Sequence, residues 1–235
     1  MKPLYKRILL KLSGEGMMGE KPYGIDEKMV AALAGEVKDL VKSGVEVAIV
    51  IGGGNIFRGI HARGMDRVSA DQMGMLATVI NAVAFADGLR AVGVPAVVMS
   101  GLPLPTVAET FTARAGRAHL SEGKVVLLAG GTGSPYFTTD TGASLRAAEL
   151  QCDVWMKATQ VDGVYSADPR KDASAERYET VTFDDVLSKD LKVMDAAAVA
   201  LSRDSGIPVL VFSMHGKDAV KNVLFGKEKF TTIKG

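Results

Sequence analysis

The chain reads as an α/β fold: a three-layer sandwich with a mostly parallel central sheet and helices on both faces. Three observations predict it. Short apolar runs rich in β-branched residues alternate with longer segments of helical periodicity, which is the pattern of strand–helix–strand units. Glycine-rich turns follow several of the runs, at the strand ends where such sheets bind ligands. And 235 residues, 47% hydrophobic and 23% charged, suffice for one large domain with a sizeable core.

The first run, Arg7–Leu12, is a strand interrupted only by Lys11. Asp26 to Ser43 follows as a helix, with Met29, Val30, Leu33, Val37, Leu40 and Val41 on one face and Gly44 as its stop. Val45–Ile51 is the second strand. A second helix runs from about Val68 to Arg90, its stripe formed by Leu76, Val79, Ile80 and Val83. Val94–Met99 and Val125–Ala129 are strands, and helices are expected at Thr141–Leu150, Asp195–Ser205 and Lys217–Phe225. Val154–Met156 and Val209–Phe212 complete the set of strands. In Thr159–Asp168, Asp162-Gly163 between two short apolar runs signals a hairpin. The charged stretch Pro169–Glu179 has little periodicity and reads as a surface loop. No repeat, low-complexity segment or clean linker divides the chain, so residues 1–235 form a single domain, with a soft lobe boundary near Gln151.

Composition narrows the function. A formal net charge of +1 lacks the basic excess of a nucleic-acid surface. Cys152 is the only cysteine, which excludes an intramolecular disulfide. The apolar stretch near the N-terminus is too short for a signal peptide, and Lys11 interrupts it. Nothing is read as reaching the roughly 20 apolar residues that span a bilayer. A cytoplasmic protein, associated with neither membrane nor nucleic acid, is expected.

Val125 to Asp140, VVLLAGGTGSPYFTTD, carries the clearest chemistry. An apolar run empties into Gly130, Gly131, Thr132 and Gly133, passes a proline turn, and reaches Tyr136, Phe137, Thr138, Thr139 and Asp140 before a helical pattern opens. Glycines let a turn present N–H groups to an anion, and a helix N-terminus adds partial positive charge. The segment reads as a phosphate cradle with no lysine of its own. Lysines come from neighbouring strands. Lys11 ends the first run before Ser13-Gly14, and Lys157 closes VWMKAT at the same rim. Gly52-Gly53-Gly54-Asn55 followed by Arg58 repeats the logic with an arginine.

Phosphoryl transfer needs two anionic groups in line, with positive charge over the transferring group. Asp140 is expected to position Lys11 and Lys157, because a carboxylate between two cations favours both charged forms. Each feature also has a plainer counterpart: a snorkelling Lys11, a tight triple-glycine turn, and Asp140 as a helix N-cap. Neither G-x-x-x-x-G-K-[ST] nor G-x-G-x-x-G after the first strand is present. His61, His119 and His215 lack metal-ligand spacing. Any metal is expected to be Mg²⁺ carried by a nucleotide.

KLSGE, VIGGGNIFRG, DQMGMLATVIN, GGTGSPYFTTD, KATQVDGVYSADP and LKVMD together resemble the bacterial UMP kinases of the amino acid kinase fold, in order and spacing from about Tyr5 to Phe212. The resemblance implies ATP-dependent phosphorylation of UMP to UDP, a step of de novo pyrimidine nucleotide biosynthesis. It implies that Lys11, Leu12, Ser13, Gly14, Gly54 and Arg58 lie along the ATP phosphates. Thr159, Tyr165 and Asp168 would frame the adenine and ribose of ATP. Gly53 would approach UMP, and Asp71 would accept hydrogen bonds from its ribose. Thr132, Gly133, Ser134, Pro135, Tyr136, Phe137, Thr138 and Thr139 would wrap its phosphate and base. Residues 1–150 would then form mainly the UMP-acceptor lobe, and residues 151–235 mainly the ATP lobe.

The resemblance further implies a homohexamer built from dimers, activated by GTP and inhibited by UTP. Gly19, Glu20, Lys21, Pro22, Tyr23 and Gly24 correspond to the region tied to GTP activation, and the helix around Val68–Arg90 to a subunit-contact helix. Asp195 reads as an N-cap outside the site. Two alternatives stand beside this reading: a kinase of the same fold acting on a carboxylate or carbamate, and a non-catalytic nucleotide- or oxyanion-binding protein.

Overall fold

The computed structural model describes residues 2–57, 64–216 and 218–235. Eleven strands form among the described residues: β1 (Arg7–Leu12), β2 (Glu46–Ile51), β3 (Ala96–Ser100), β4 (Glu109–Thr110), β5 (Val125–Ala129), β6 (Val154–Thr159), β7 (Val164–Tyr165), β8 (Arg177–Tyr178), β9 (Thr180–Thr182), β10 (Val209–Ser213) and β11 (Thr231–Lys234). Nine of them make one sheet in the order β4-β3-β5-β2-β1-β6-β10-β11-β9. Every neighbouring pair in that sheet is parallel except β10 and β11. The α/β class and mostly parallel sheet are therefore as expected.

Parallel strands bury both faces, so their residues alternate between two apolar layers. Ile8, Leu10 and Leu12 of β1 join one core with α1 (Glu27–Lys42), α2 (Arg67–Ala91) and α7 (Ala219–Leu224). Leu9 of β1 and Trp155 of β6 face the other, with α3 (Ala113–Ser121), α4 (Thr139–Leu150), α5 (Phe183–Ser188) and α6 (Ala196–Ser205). Each fully buried Leu or Phe contributes about 1.5–3 kcal/mol of transfer free energy. Asp26 caps α1 by accepting from Lys28 N–H, and Gly44 leaves the helix at φ +83°.

Several local expectations are corrected. Leu76, Ile80 and Val83 of α2 face outward, while Val79, Ala82, Phe85, Ala86 and Leu89 form the packed side. The helix is apolar around most of its circumference, so a 3.6-residue period does not separate the two stripes. By length and composition α2 is also long and apolar enough to cross a bilayer, contrary to the sequence reading. Here it packs on α1 and β3.

Asp162-Gly163 does not close a hairpin. Neither residue takes the positive φ that a type I′ turn requires, and β7 pairs instead with β8 across residues 166–176. The loop expected at Pro169–Glu179 thus ends in strand β8. Helices α3 and α5 and strands β4, β9 and β11 are short elements that the sequence reading passed over. The helix expected at Lys217–Phe225 is Ala219–Leu224, with Lys217 outside the described residues.

Candidate active site

Because β1, β2, β5 and β6 run parallel, the turns after them open on one rim. Ser13 accepts from Glu15 N–H and starts a single 3-10 turn over Gly14–Met17. A Cβ at Gly14 would fall 2.4 Å from Asn55 Oδ1 and 2.5 Å from the Gly52 carbonyl. Only glycine lets these two turns touch, and Gly52 N–H donates to Leu12 O across the same gap. The Leu12 side chain is buried in the core, so the rim sees only its backbone. Gly130, Gly131 and Gly133 all take positive φ, a conformation open to glycine at little cost.

The strand alternation that buries Leu9 also turns Lys11 toward α4, and Lys157 shares the side of Trp155. The β1–β6 register sets Lys11 directly beside Lys157, where two like charges repel. Asp140 lies in the first turn of α4, above both. Lys11 Nζ is 2.9 Å from Asp140 Oδ1, a buried ion pair. Lys157 Nζ donates to Asp140 Oδ2 and, at 2.6 Å, to Val193 O. All three side chains are at most 12% exposed, so solvent screens them little.

Burial alone would push the Asp140 carboxyl upward. The ammoniums of Lys11 and Lys157 outweigh it and hold the group below the ordinary carboxylate range. Burial lowers the Lys157 ammonium from its usual value, with Asp140 pulling it back up and Lys11 adding to the fall. Asp140 is not the helix N-cap. That position belongs to Thr138, whose hydroxyl accepts from Asp140 N–H and Thr141 N–H, which frees the Asp140 carboxylate for the lysines.

Two cavities flank this cluster. One is lined by Gly53, Gly54, Asp71, Thr132, Ser134, Phe137, Thr138 and Thr139, among others. Gly133, Pro135 and Tyr136 belong to the same loop but not to that lining. Asp71 Oδ2 accepts from Tyr136 N–H and Arg67 Nε, both at 2.8 Å. It thereby ties α2 to a loop residue held at φ +72°. The second cavity, of roughly 550 Å³, is lined by Lys157, Thr159, Tyr165 and Asp168, with Leu191 and Val193 opposite. That volume falls in the usual range for small-molecule sites. Tyr165 OH donates to Asp162 Oδ1 at 2.6 Å, and the half-buried Asp168 accepts from Arg170 N–H and Nε. Lys157 belongs to this lining, while Thr138 and Thr139, immediately before Asp140, belong to the other. Arg58 lies outside the described residues.

Residues 19–24 line neither cavity. Lys21 Nζ donates to Ile25 O, Tyr23 is exposed, and Gly19 takes φ +60° beside Asp26, with Glu20 and Pro22 between them. Gly24 joins the glycine turn through Asn55: Gly24 N–H donates to Asn55 O, and Asn55 Nδ2 donates to Gly24 O, each at 2.9 Å.

Sequence reasoning missed three features. Asn81 is fully buried in α2, and its Nδ2 donates to Gly52 O and Asn55 Oδ1, each at 2.7 Å. Thr78 Oγ1 accepts from Gly130 N–H at 2.8 Å. Two polar residues inside the apolar run of α2 were the available signal. Asp195, left outside the site, is the N-cap of α6 as expected, but it also accepts from Thr138 Oγ1 at 2.5 Å and Thr141 Oγ1 at 2.7 Å. It therefore clamps the start of the helix that carries Asp140.

The model of the amino acid kinase family matches residues 6–213. A curated relative from Brucella anthropi named uridylate kinase is 50% identical over 234 residues, covering 99% of this chain and 98% of the relative. The crystal structure of UMP kinase from Bacillus anthracis superposes with a TM-score of 0.94 at 37% identity, covering 98% of this chain and 96% of that one. The crystal structure of UMP kinase from Ureaplasma parvum gives the same TM-score and identity, covering 98% and 99%.

Proposed function

This chain belongs to the amino acid kinase family, and from that premise we propose that it transfers the γ-phosphoryl group of ATP to UMP, giving UDP and ADP in pyrimidine nucleotide synthesis in the cytoplasm. The observation that carries the mechanism is the buried Lys11–Asp140–Lys157 cluster between two cavities. A phosphate oxygen of UMP attacks the γ-phosphorus as the bond to the β-bridging oxygen breaks, and the electron pair leaves with ADP. Little covalent work falls to the protein, which holds both anions in line and neutralises charge on the transferring group. Lys11 and Lys157 supply that charge. Asp140 keeps two adjacent ammoniums oriented.

The cavity beside Thr159, Tyr165 and Asp168 takes the adenosine of ATP. Lys11, the backbone of Leu12, Ser13, Gly14, Gly54 and Arg58 take its phosphates. The cavity beside Gly53 and Asp71 takes UMP, wrapped by Thr132 to Thr139. The acceptor cavity draws its lining from residues 53–139 and the other from residues 157–211, which supports a UMP lobe in residues 1–150 and an ATP lobe in residues 151–235. Mg²⁺ fits as an ion borne by ATP. Among the described residues no three His, Cys, Asp or Glu side chains converge, and both acids at the cluster are occupied, Asp140 by two ammoniums and Asp195 by two hydroxyls. When bound, the ion adds positive charge over the β- and γ-phosphates.

The test is ADP formation from Mg-ATP with UMP, CMP, dUMP, aspartate, glutamate or carbamate as acceptor. UDP formation with strong preference for UMP is expected. Turnover only with an acyl acceptor, or binding without transfer, overturns the reading.

Met73, Leu76, Ile80 and Val83 stand 40–51% exposed along the outer face of α2, an apolar stripe of the kind that marks an association surface. It supports assembly into a homo-oligomer, a homohexamer built from dimers on the pattern of the resemblance, with GTP and UTP as effectors and residues 19–24 in the GTP response. Light scattering should give a mass several times 24.8 kDa. The Leu76→Glu/Ile80→Glu variant should give a smaller species with unchanged far-UV circular dichroism. A monomeric parent chain counts against assembly.

A further inference from the structure

We propose that Arg146 is a positioning residue for the acceptor nucleotide, fixing the Gly131–Thr132 peptide so that the Thr132 N–H points into the acceptor cavity. The proposal rests on the reading of that cavity as the UMP site. Arg146 lies in α4 with its side chain 7% exposed. Its Nη2 donates to Gly131 O at 3.1 Å and its Nη1 to Glu149 Oε2 at 2.5 Å. The guanidinium lies over the Phe111 ring, 4.0 Å from the centroid, and a Cβ at Gly101 would come within 3.0 Å of Nη2. Stacked, bonded through both Nη atoms to different acceptors and boxed in, the fork has one place to go.

The carbonyl of Gly131 and the N–H of Thr132 belong to one trans peptide, so they point in opposite directions. That peptide sits over Gly142, where a Cβ would lie 3.3 Å from Gly131 Cα and 3.6 Å from Thr132 N. Arg146 is one helical turn beyond Gly142 and holds the carbonyl. The N–H is therefore directed one turn the other way, toward Thr138 and Thr139, which line the acceptor cavity with Gly131 and Thr132. Among the described residues no acceptor takes the Thr132 N–H, while the Thr132 hydroxyl is occupied by Ser134. A cation on the carbonyl also polarises the amide and strengthens its N–H as a donor. No lysine can reproduce this, since a single ammonium lacks the planar fork that serves Gly131 O and Glu149 together.

The test is steady-state kinetics of the full-length enzyme with UMP and ATP varied separately. Arg146→Gln should raise KM for UMP at least tenfold and leave KM for ATP within twofold. Arg146→Lys should fall between the two, and Glu149→Gln, which keeps the Gly131 bond, should stay near the parent. Millimolar guanidinium, but not sodium at equal ionic strength, should lower the raised KM of Arg146→Ala. If Arg146→Gln does not fold, calorimetric titration of Arg146→Lys with UMP should show the weakened affinity. An unchanged KM for UMP, or equal rises for UMP and ATP, overturns the assignment. A parent chain that makes no UDP at all overturns the acceptor-site reading itself, which separates the two failures.

Discussion

Asp140→Asn is expected to lower kcat by about 10²–10³-fold, the range that follows loss of one charge-organising group in an active site. Lys11 and Lys157 are register partners on adjacent strands, with only Asp140 between their ammoniums. An amide of the same shape carries no charge and offers one lysine an N–H where it needs an acceptor. Burial already lowers Lys157, so removing the carboxylate favours loss of its proton. The transferring phosphoryl group then meets one cation where the parent offers two. The fold should persist by far-UV circular dichroism, at a cost of about 3–5 kcal/mol for leaving buried charge uncompensated.

The pH dependence has a definite sign. Asp140 is held below its ordinary range in the folded state. Its contribution to stability is therefore full above the unfolded carboxylate value, near about 3.9, and is lost as pH falls through the lower folded value. Unfolding free energies of the parent and Asp140→Asn should differ most near neutrality and converge below about pH 4. The alkaline limb of kcat should also shift to lower pH in the variant. Unchanged turnover would remove Asp140 from the mechanism.

Why part of this site was legible, and part not, is a matter of range. Lys11 is visible because an ammonium inside ILLKLS costs burial energy unless something compensates it. The glycine turns are visible because backbone conformation is local: Gly130, Gly131 and Gly133 advertise their positive φ in the sequence. The side on which Lys157 emerges follows from strand alternation, but its pairing with Lys11 is set by the register of two strands more than 140 residues apart, which no local pattern encodes. Asp195 shows the same limit. Its N-cap role follows from neighbouring residues, whereas its bonds to Thr138 and Thr141 exist only because α6 packs on α4. The outward stripe of α2 was misjudged because hydrophobicity is blind to whether a second layer covers it. The Asp162-Gly163 signal was overridden by tertiary contact, with Thr231 Oγ1 and the Arg177 side chain crowding Gly163.

Lys157→Gln should cost about 10³-fold in kcat, with a smaller effect on either KM, because its charge matters most when the transferring group is between its partners. Two ammoniums and one carboxylate leave the cluster one net positive charge, and this substitution cancels it. It also strips a donor from Val193 O, a contact on the side of the cavity proposed for ATP. Combined with Asp140→Asn, the losses should not multiply. Asp140 acts by holding two cations together, and that task disappears once one of them is gone. The double variant should therefore turn over at least as fast as Lys157→Gln alone, since Lys11 keeps its charge and no longer faces a carboxylate. A double variant slowed by the product of the two single losses would mean that Asp140 acts independently of the lysines.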